Sequence, residues 1–176
     1  MAYLKSVFLL FFVIATLTTT VYGQDKGPKG GSPIQSGKQT ITVQSLSAKG
    51  AQDMADAMVK HAILRQQTIT VAIVDAGGNL LYFKRMDGAG LGTINAAIGK
   101  AKAALSLQAP TQVFSDLAKQ DLGLAVGFLS TDLMILGGGQ PIRIADVVVG
   151  GVAVSGGAGG EDDLYNNVGL KAVGAQ

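Results

Sequence analysis

Residues 68–84 read TITVAIVDAGGNLLYFK, and the fold class follows from this stretch. Thr68 to Val74 is an almost unbroken run of β-branched and apolar residues, the composition of a strand. Asp75-Ala76-Gly77-Gly78-Asn79 interrupts the run with residues that accept positive φ. Leu80 to Lys84 then returns with the same character. Two such runs joined by five turn residues predict a β-hairpin, and a tight hairpin requires an antiparallel pair.

Downstream the period changes. Arg85-Met86-Asp87-Gly88-Ala89-Gly90-Leu91-Gly92 is a glycine-rich loop, with Thr93 placed to N-cap a helix. That helix carries Ile94, Ala97, Ile98, Ala101, Ala104 and Leu105 on one face. Lys100 and Lys102 lie toward its C-terminal half, where cations suit the helix dipole. Pro110 breaks it, and Thr111 to Lys119 predicts a short further helix with Thr111 as its cap. Leu122 to Gly139 contains apolar runs that fit helix and strand alike. Pro141 opens Ile142-Arg143-Ile144, and Val147 to Val154 reads as a central strand interrupted by glycine. After the turn Gly156 to Gly160, the acids Glu161, Asp162 and Asp163 head a last helix that ends near Val173.

Upstream of the hairpin, Ser47 stands as an N-cap. Behind it Ala51, Met54, Ala55, Met58, Val59, Ala62 and Ile63 recur at helical spacing for about five turns. Before that, Ile41 and Val43 alternate with threonines in Gln39–Gln44, as in a short half-buried strand. The sum is an α+β domain, residues 39–176, built on a single twisted antiparallel sheet of about five strands with flanking helices.

The remaining ends carry their own signals. Lys5, an apolar run from Val7 to Leu17 and a small residue at Gly23 describe a secretory signal peptide over residues 1–23. The apolar run is short for a membrane anchor, which takes ~20 residues. The expected destination is extracellular, or periplasmic in a bacterium. Residues 24–38, rich in Gly, Pro, Ser and Lys, read as a flexible arm. The formal charge of +2 falls to about +1 once Lys5 is removed with the leader. So small a charge gives no reason to expect nucleic acid or an anionic membrane as a partner after cleavage. The chain has no cysteine, which removes thiolate catalysis, cysteine zinc sites and disulfide staples. With His61 its only histidine and Glu161 its only glutamate, it is poorly stocked for acid–base chemistry.

Several blocks then stand in a specific order: VAIVDAGGNLLYFKRMDGA (71–89), INAAIGKAKAA (94–104), APT (109–111), GGGQPIRI (137–144) and VVGGVAVSGG (148–157), followed by Asp163. In these the chain resembles the GlcG/HbpS family of haem-degrading or haem-binding proteins, from Thr40 to Ala172. The resemblance implies a profilin-like α+β sandwich, commonly a symmetric oligomer. It implies haem binding in some members and a place beside glycolate or corrinoid metabolism in others.

The candidate site residues each carry two readings. His61 is the sole imidazole and so the best iron ligand; equally, it sits at the edge of an apolar helix face and reads as a half-buried helix residue or subunit contact. Arg85 and Asp87 suit a carboxylate or a haem propionate, with Arg85 forking to two oxygens, or else form an ion pair that ties the hairpin to the next helix. Gly88, Gly90 and Gly92 before a helix N-terminus suit an anion, though their spacing is neither a dinucleotide fingerprint nor a P-loop. The resemblance makes Lys100 and Lys102 candidate propionate partners; otherwise they belong to a solvated face. It places Thr111 in a haem-contacting region; otherwise it is a cap. Asp75 reads as a turn residue. No Ser-His-Asp set or calcium loop is readable, and adjacent Asp162 and Asp163 point to different sides of a helix.

The function expected is a secreted small-ligand-binding module, with haem or a related tetrapyrrole as ligand and other copies of itself as partners. The alternative is a structural subunit of an extracellular ring or filament. An enzyme acting on haem or a small metabolite ranks last, for want of acid–base groups.

Overall fold

The computed structural model describes residues 41–176; the expected leader (1–23) and arm (24–38) lie outside the described residues. Helix α1 runs over Ala48–Leu64, and Ser47 caps it as expected, its hydroxyl accepting the Gly50 N–H at 3.1 Å. Ala51, Met54, Ala55, Met58 and Ala62 form its buried stripe. The hairpin follows as strands β1 (Thr70–Asp75) and β2 (Leu80–Arg85), with Thr70 opposite Arg85 and Ile73 opposite Tyr82.

Helix α2 spans Gly92–Leu107 and ends where Gln108 turns left-handed at φ 51°. Thr93 does not cap it. The helix starts one residue earlier, and the Thr93 hydroxyl lies 2.6 Å from both the Gly90 carbonyl and the Thr70 hydroxyl, tying the helix to the sheet. Helices α3 (Thr111–Gln120) and α4 (Leu122–Ser130) make a hairpin of their own, so the ambiguous stretch after Leu122 is helical at its start. Thr111 is the first residue of α3 and not its cap, a position taken by Pro110. Strands β3 (Gly139–Ile144) and β4 (Val147–Ser155), a 3-10 turn at Ala158–Gly160 and helix α5 (Asp162–Ala172) complete the chain.

All strand pairs are antiparallel, in the order β2-β1-β4-β3. The sheet has four strands among the described residues and not about five. Residues 41–44 are not a strand, and Ile41 is 71 % exposed. Instead the Leu46 N–H binds the Val149 carbonyl at 2.9 Å and leads straight into α1. The outer side of β3 is met at its end by the last residue of the chain, since Arg143 and Gln176 exchange two backbone hydrogen bonds of 2.9 Å.

Helices cover both faces, which is why β1 is apolar throughout and does not alternate. On one face Met54 and Met58 of α1 and Tyr165 of α5 pack on Val71, Ile73, Val152 and Val154. On the other, Ala97 and Ala101 of α2 pack on Ala72, Val74 and Ala153. This second layer is thin because the strand beneath it carries glycine. A Cβ on Gly151 would overlap the Ala101 carbonyl, and one on Gly139 would come within 2.5 Å of the Lys100 carbonyl. Gly151 of β4 and Gly139 of β3 therefore let a small-residue helix lie close on the sheet.

Candidate functional site

The end of the sheet where β1 begins and β2 stops brings His61, Arg65, Arg85 and Glu161 to one region of the fold. There α1 ends, the Arg85–Gly92 loop begins at Met86 (whose N–H binds the Ile69 carbonyl), and the first turn of α5 arrives. Gly156, with φ 104°, lets the chain leave β4 beside Thr68, where a Cβ would meet the Thr68 carbonyl at 3.1 Å.

His61 lies in the last turn of α1, half-buried, with its ring edge-on to Tyr165 at 5.8 Å. Its Nε2 is turned inward and lacks a hydrogen-bond partner, as do Glu161 Oε2 and the Tyr165 hydroxyl. Arg65, one helical turn after His61, donates to Glu161 Oε1 at 2.8 Å. The hydrogen bond it donates to Glu161, reinforced by that carboxylate's charge, holds the Arg65 guanidinium above its ordinary range. The chain's only histidine and only glutamate thus share one corner with an arginine and a buried tyrosine. Periodicity missed Arg65, Glu161 and Tyr165 as members of this corner, because they come from two helices far apart in the chain. The lone Glu161, an acid at a helix start, was the available signal.

Arg85 is exposed at the mouth of the same end and donates to the Ala89 carbonyl at 3.1 Å. No ion pair joins it to Asp87 among the described residues. Asp87 is exposed as well. The tie between hairpin and helix comes instead from the Thr70 and Thr93 hydroxyls. Both loop residues remain open toward solvent, and Arg85 suits an anionic group presented from outside.

Lys100 corrects the solvated-face reading. Its side chain is 3 % exposed and its amine donates to Asp162 Oδ2 at 2.8 Å and to the carbonyls of Gly137 and Val154. Those are all the donors an ammonium has. Asp162 in turn accepts the Gly157 N–H at 2.8 Å, so the pair fastens α2, α5 and the loops on either side. Asp163 points elsewhere, toward Gln140, as adjacent helix positions must. Lys102, by contrast, is exposed. Thr111 is fully buried; its hydroxyl donates to the Leu136 carbonyl at 2.6 Å and accepts the Gly139 N–H at 3.0 Å. Asp75 is the turn residue expected, accepting the Gly77 and Asn79 N–H groups at 2.8 and 2.9 Å.

The five sequence candidates therefore do not form one pocket. His61 and Arg85 share an end of the sheet, whereas Lys100 and Thr111 are saturated inside the fold. For haem the fit is divided. The orphaned Nε2 of His61 is free for iron once the ring turns outward, and Arg85 is free for a propionate. Lys100 and Thr111 have no polar atom left to offer. Among the described residues no group of three or more His, Asp or Glu side chains could hold a bare metal ion.

Comparison with known proteins gives this geometry its setting. A family model described as "Haem degrading protein HbpS-like" matches residues 46–171. Among solved structures, the Klebsiella pneumoniae protein ORFY is 30 % identical, with a TM-score of 0.73 over 79 % of this chain and 97 % of that one. The PduOC:heme complex is 26 % identical, with a TM-score of 0.69 over 75 % of this chain and 97 % of that one. A double mutant of Streptomyces reticuli HbpS is 29 % identical, with a TM-score of 0.69 over 83 % of this chain and 99 % of that one.

Proposed function

The chain belongs to the HbpS-like family, and from that premise we propose that it is a secreted module that binds haem or a related tetrapyrrole and works as a homo-oligomer. The observation that carries the ligand is the likeness to PduOC, whose structure is a haem complex, across three quarters of this chain. Within the chain, His61 and Arg85 support it by standing at one end of the sheet with an unpartnered imidazole nitrogen and an open guanidinium. His61 would hold the iron through its unpartnered nitrogen, and Arg85 would hold a propionate. Lys100 and Thr111 act only by fixing the loops around them. When bound, haem supplies an iron centre and a planar apolar face; the chain supplies the ligand nitrogen and the counter-charge.

Titrating the purified protein with hemin tests this reading. A shifted Soret band at micromolar concentration is expected, and a spectrum identical to free hemin overturns it. His61→Ala should remove a low-spin spectrum while leaving the circular dichroism unchanged, since alanine favours helix. A low-spin spectrum that survives the substitution removes His61 as ligand. A second reading, a structural subunit that uses no small-molecule site, is favoured by one observation: helix α4 has an uncovered apolar face.

A further inference from the structure

Helix α4 carries Leu122, Val126 and Leu129 at i, i+4 and i+7, one stripe of a helix, and they are 79, 58 and 69 % exposed. None of its nine residues is charged and none is buried. The helix is nevertheless well fixed from its other side. Asp121 caps it through the Leu124 N–H at 3.1 Å, and Phe128 packs edge-on against Phe114 of α3 at 5.5 Å. Beside the stripe run Gly123 and Gly127. A Cβ on Gly127 would meet nothing within 4 Å, and one on Gly123 only the Asp121 carboxylate. The outward face of α4 is thus a row of large apolar side chains next to a row of gaps.

We propose that this face is where two copies of the chain meet, α4 against α4, antiparallel across a two-fold axis at Val126; the proposal rests on the homo-oligomer reading above. Such an axis sets each residue opposite the one equally far on the other side of 126. Leu129 then faces Gly123 of the partner subunit, and Leu122 faces Ser130 of the partner subunit, so large side chains meet small ones on both flanks. The same operation brings Lys119, just before α4 and paired to Asp116 of its own subunit at 2.7 Å, to the end of the partner helix that carries Asp132, so that opposite charges adjoin at the rim. The helix dipoles run antiparallel, which favours the pair. A partner of defined charge has nothing to recognise on the stripe itself, whereas a self-fitting surface needs only knobs and gaps in two-fold register. A stable interface takes about 800 Å² per partner, more than one short helix face. The exposed Val113 and Leu117 of the adjoining α3, and Leu136, widen the apolar surface around this centre.

The axis makes a specific test possible, because residue 126 meets itself. Sedimentation velocity without haem should show a dimer or larger assembly for the parent protein. Val126→Lys and Val126→Glu should each weaken association at least tenfold with unchanged circular dichroism. An equimolar mixture of the two variants should restore it. The proposal is overturned by a parent that stays monomeric at tens of micromolar, by a Val126→Lys protein that assembles like the parent, or by a mixture that remains monomeric. It is also overturned if deleting residues 24–40 abolishes assembly, which would assign the face to that segment. A monomer that instead co-sediments with phosphatidylcholine vesicles would assign it to a lipid surface. Hemin titration of the same variants reads the ligand separately, so failure of the interface and failure of the binding reading are distinguishable.

Discussion

Lys100 donates to Asp162 and to two carbonyls inside the fold, so Lys100→Ala leaves a largely buried carboxylate without its counter-charge. Breaking one side of a buried pair costs about 3–5 kcal/mol. We expect Lys100→Ala to lower the unfolding free energy by that much, read from the shift in the denaturant midpoint, and Lys102→Ala, two residues on and exposed, to leave the midpoint unchanged. Equal midpoints for the two variants would show that the pair does not hold the loops. The contrast between these neighbours is invisible to helical periodicity. Both lysines sit in the same half of α2, and the partner that draws Lys100 inward is 62 residues away. Thr111 is hidden for the same reason, since its partners Leu136 and Gly139 come from the approach to β3. His61 is different: the edge of an apolar helix face is where the residues place it and where it lies, and only the inward turn of its ring depends on Tyr165.

At the level of elements, the hairpin turn is both the most legible feature and a source of acid sensitivity. Hydrogen bonds from the Asn79 backbone, then from the Asn79 amide, hold the Asp75 carboxyl below its ordinary 3.8, against a smaller desolvation effect. A carboxyl lowered in the folded state contributes stability above its unfolded value, and that stability is lost as pH falls through the lowered one. Thermal midpoints measured from pH 6 down to pH 2 should therefore drop below about pH 4, and Asp75→Asn should flatten part of that drop. Asp116, lowered chiefly by the Lys119 ammonium and then by Gln112, keeps the remainder. An unchanged acid limb in Asp75→Asn would remove the turn from this account. The elements that pattern does not resolve are those with little internal packing. Leu122–Ser130 touches α3 through Phe128 but buries none of its residues among the described ones, so its apolar run is not sorted into a core face and a solvent face. Ile41 and Val43 alternate like a strand, but β4 already has β1 and β3 as neighbours, and the chain enters α1 through Leu46 instead. The glycines of β4, which look like weaknesses in a strand, are explained only by their neighbours in space, α2 over Gly151 and the Val74 carbonyl beside Gly150.

For the whole molecule, one thick and one thin layer sandwich the sheet, and His61 and Arg85 fall at one end of it while the uncovered helix α4 stands outside both layers. Ligand capture and self-assembly would then use separate surfaces, and a variant of one should leave the other intact. The Lys100–Asp162 pair crosses between the helices of the two layers, past the end of the sheet that separates them, and this gives the protein a built-in chemical clock. An amine-reactive reagent modifies Lys102 at the rate of any surface lysine, but reaches Lys100 only during moments when the two layers part. The ratio of the two labelling rates, followed by peptide mass spectrometry, should therefore report how often the native structure opens. Mild denaturant should accelerate Lys100 steeply while scarcely touching Lys102, and parallel slopes would mean that a local flicker, rather than separation of the layers, exposes the buried amine.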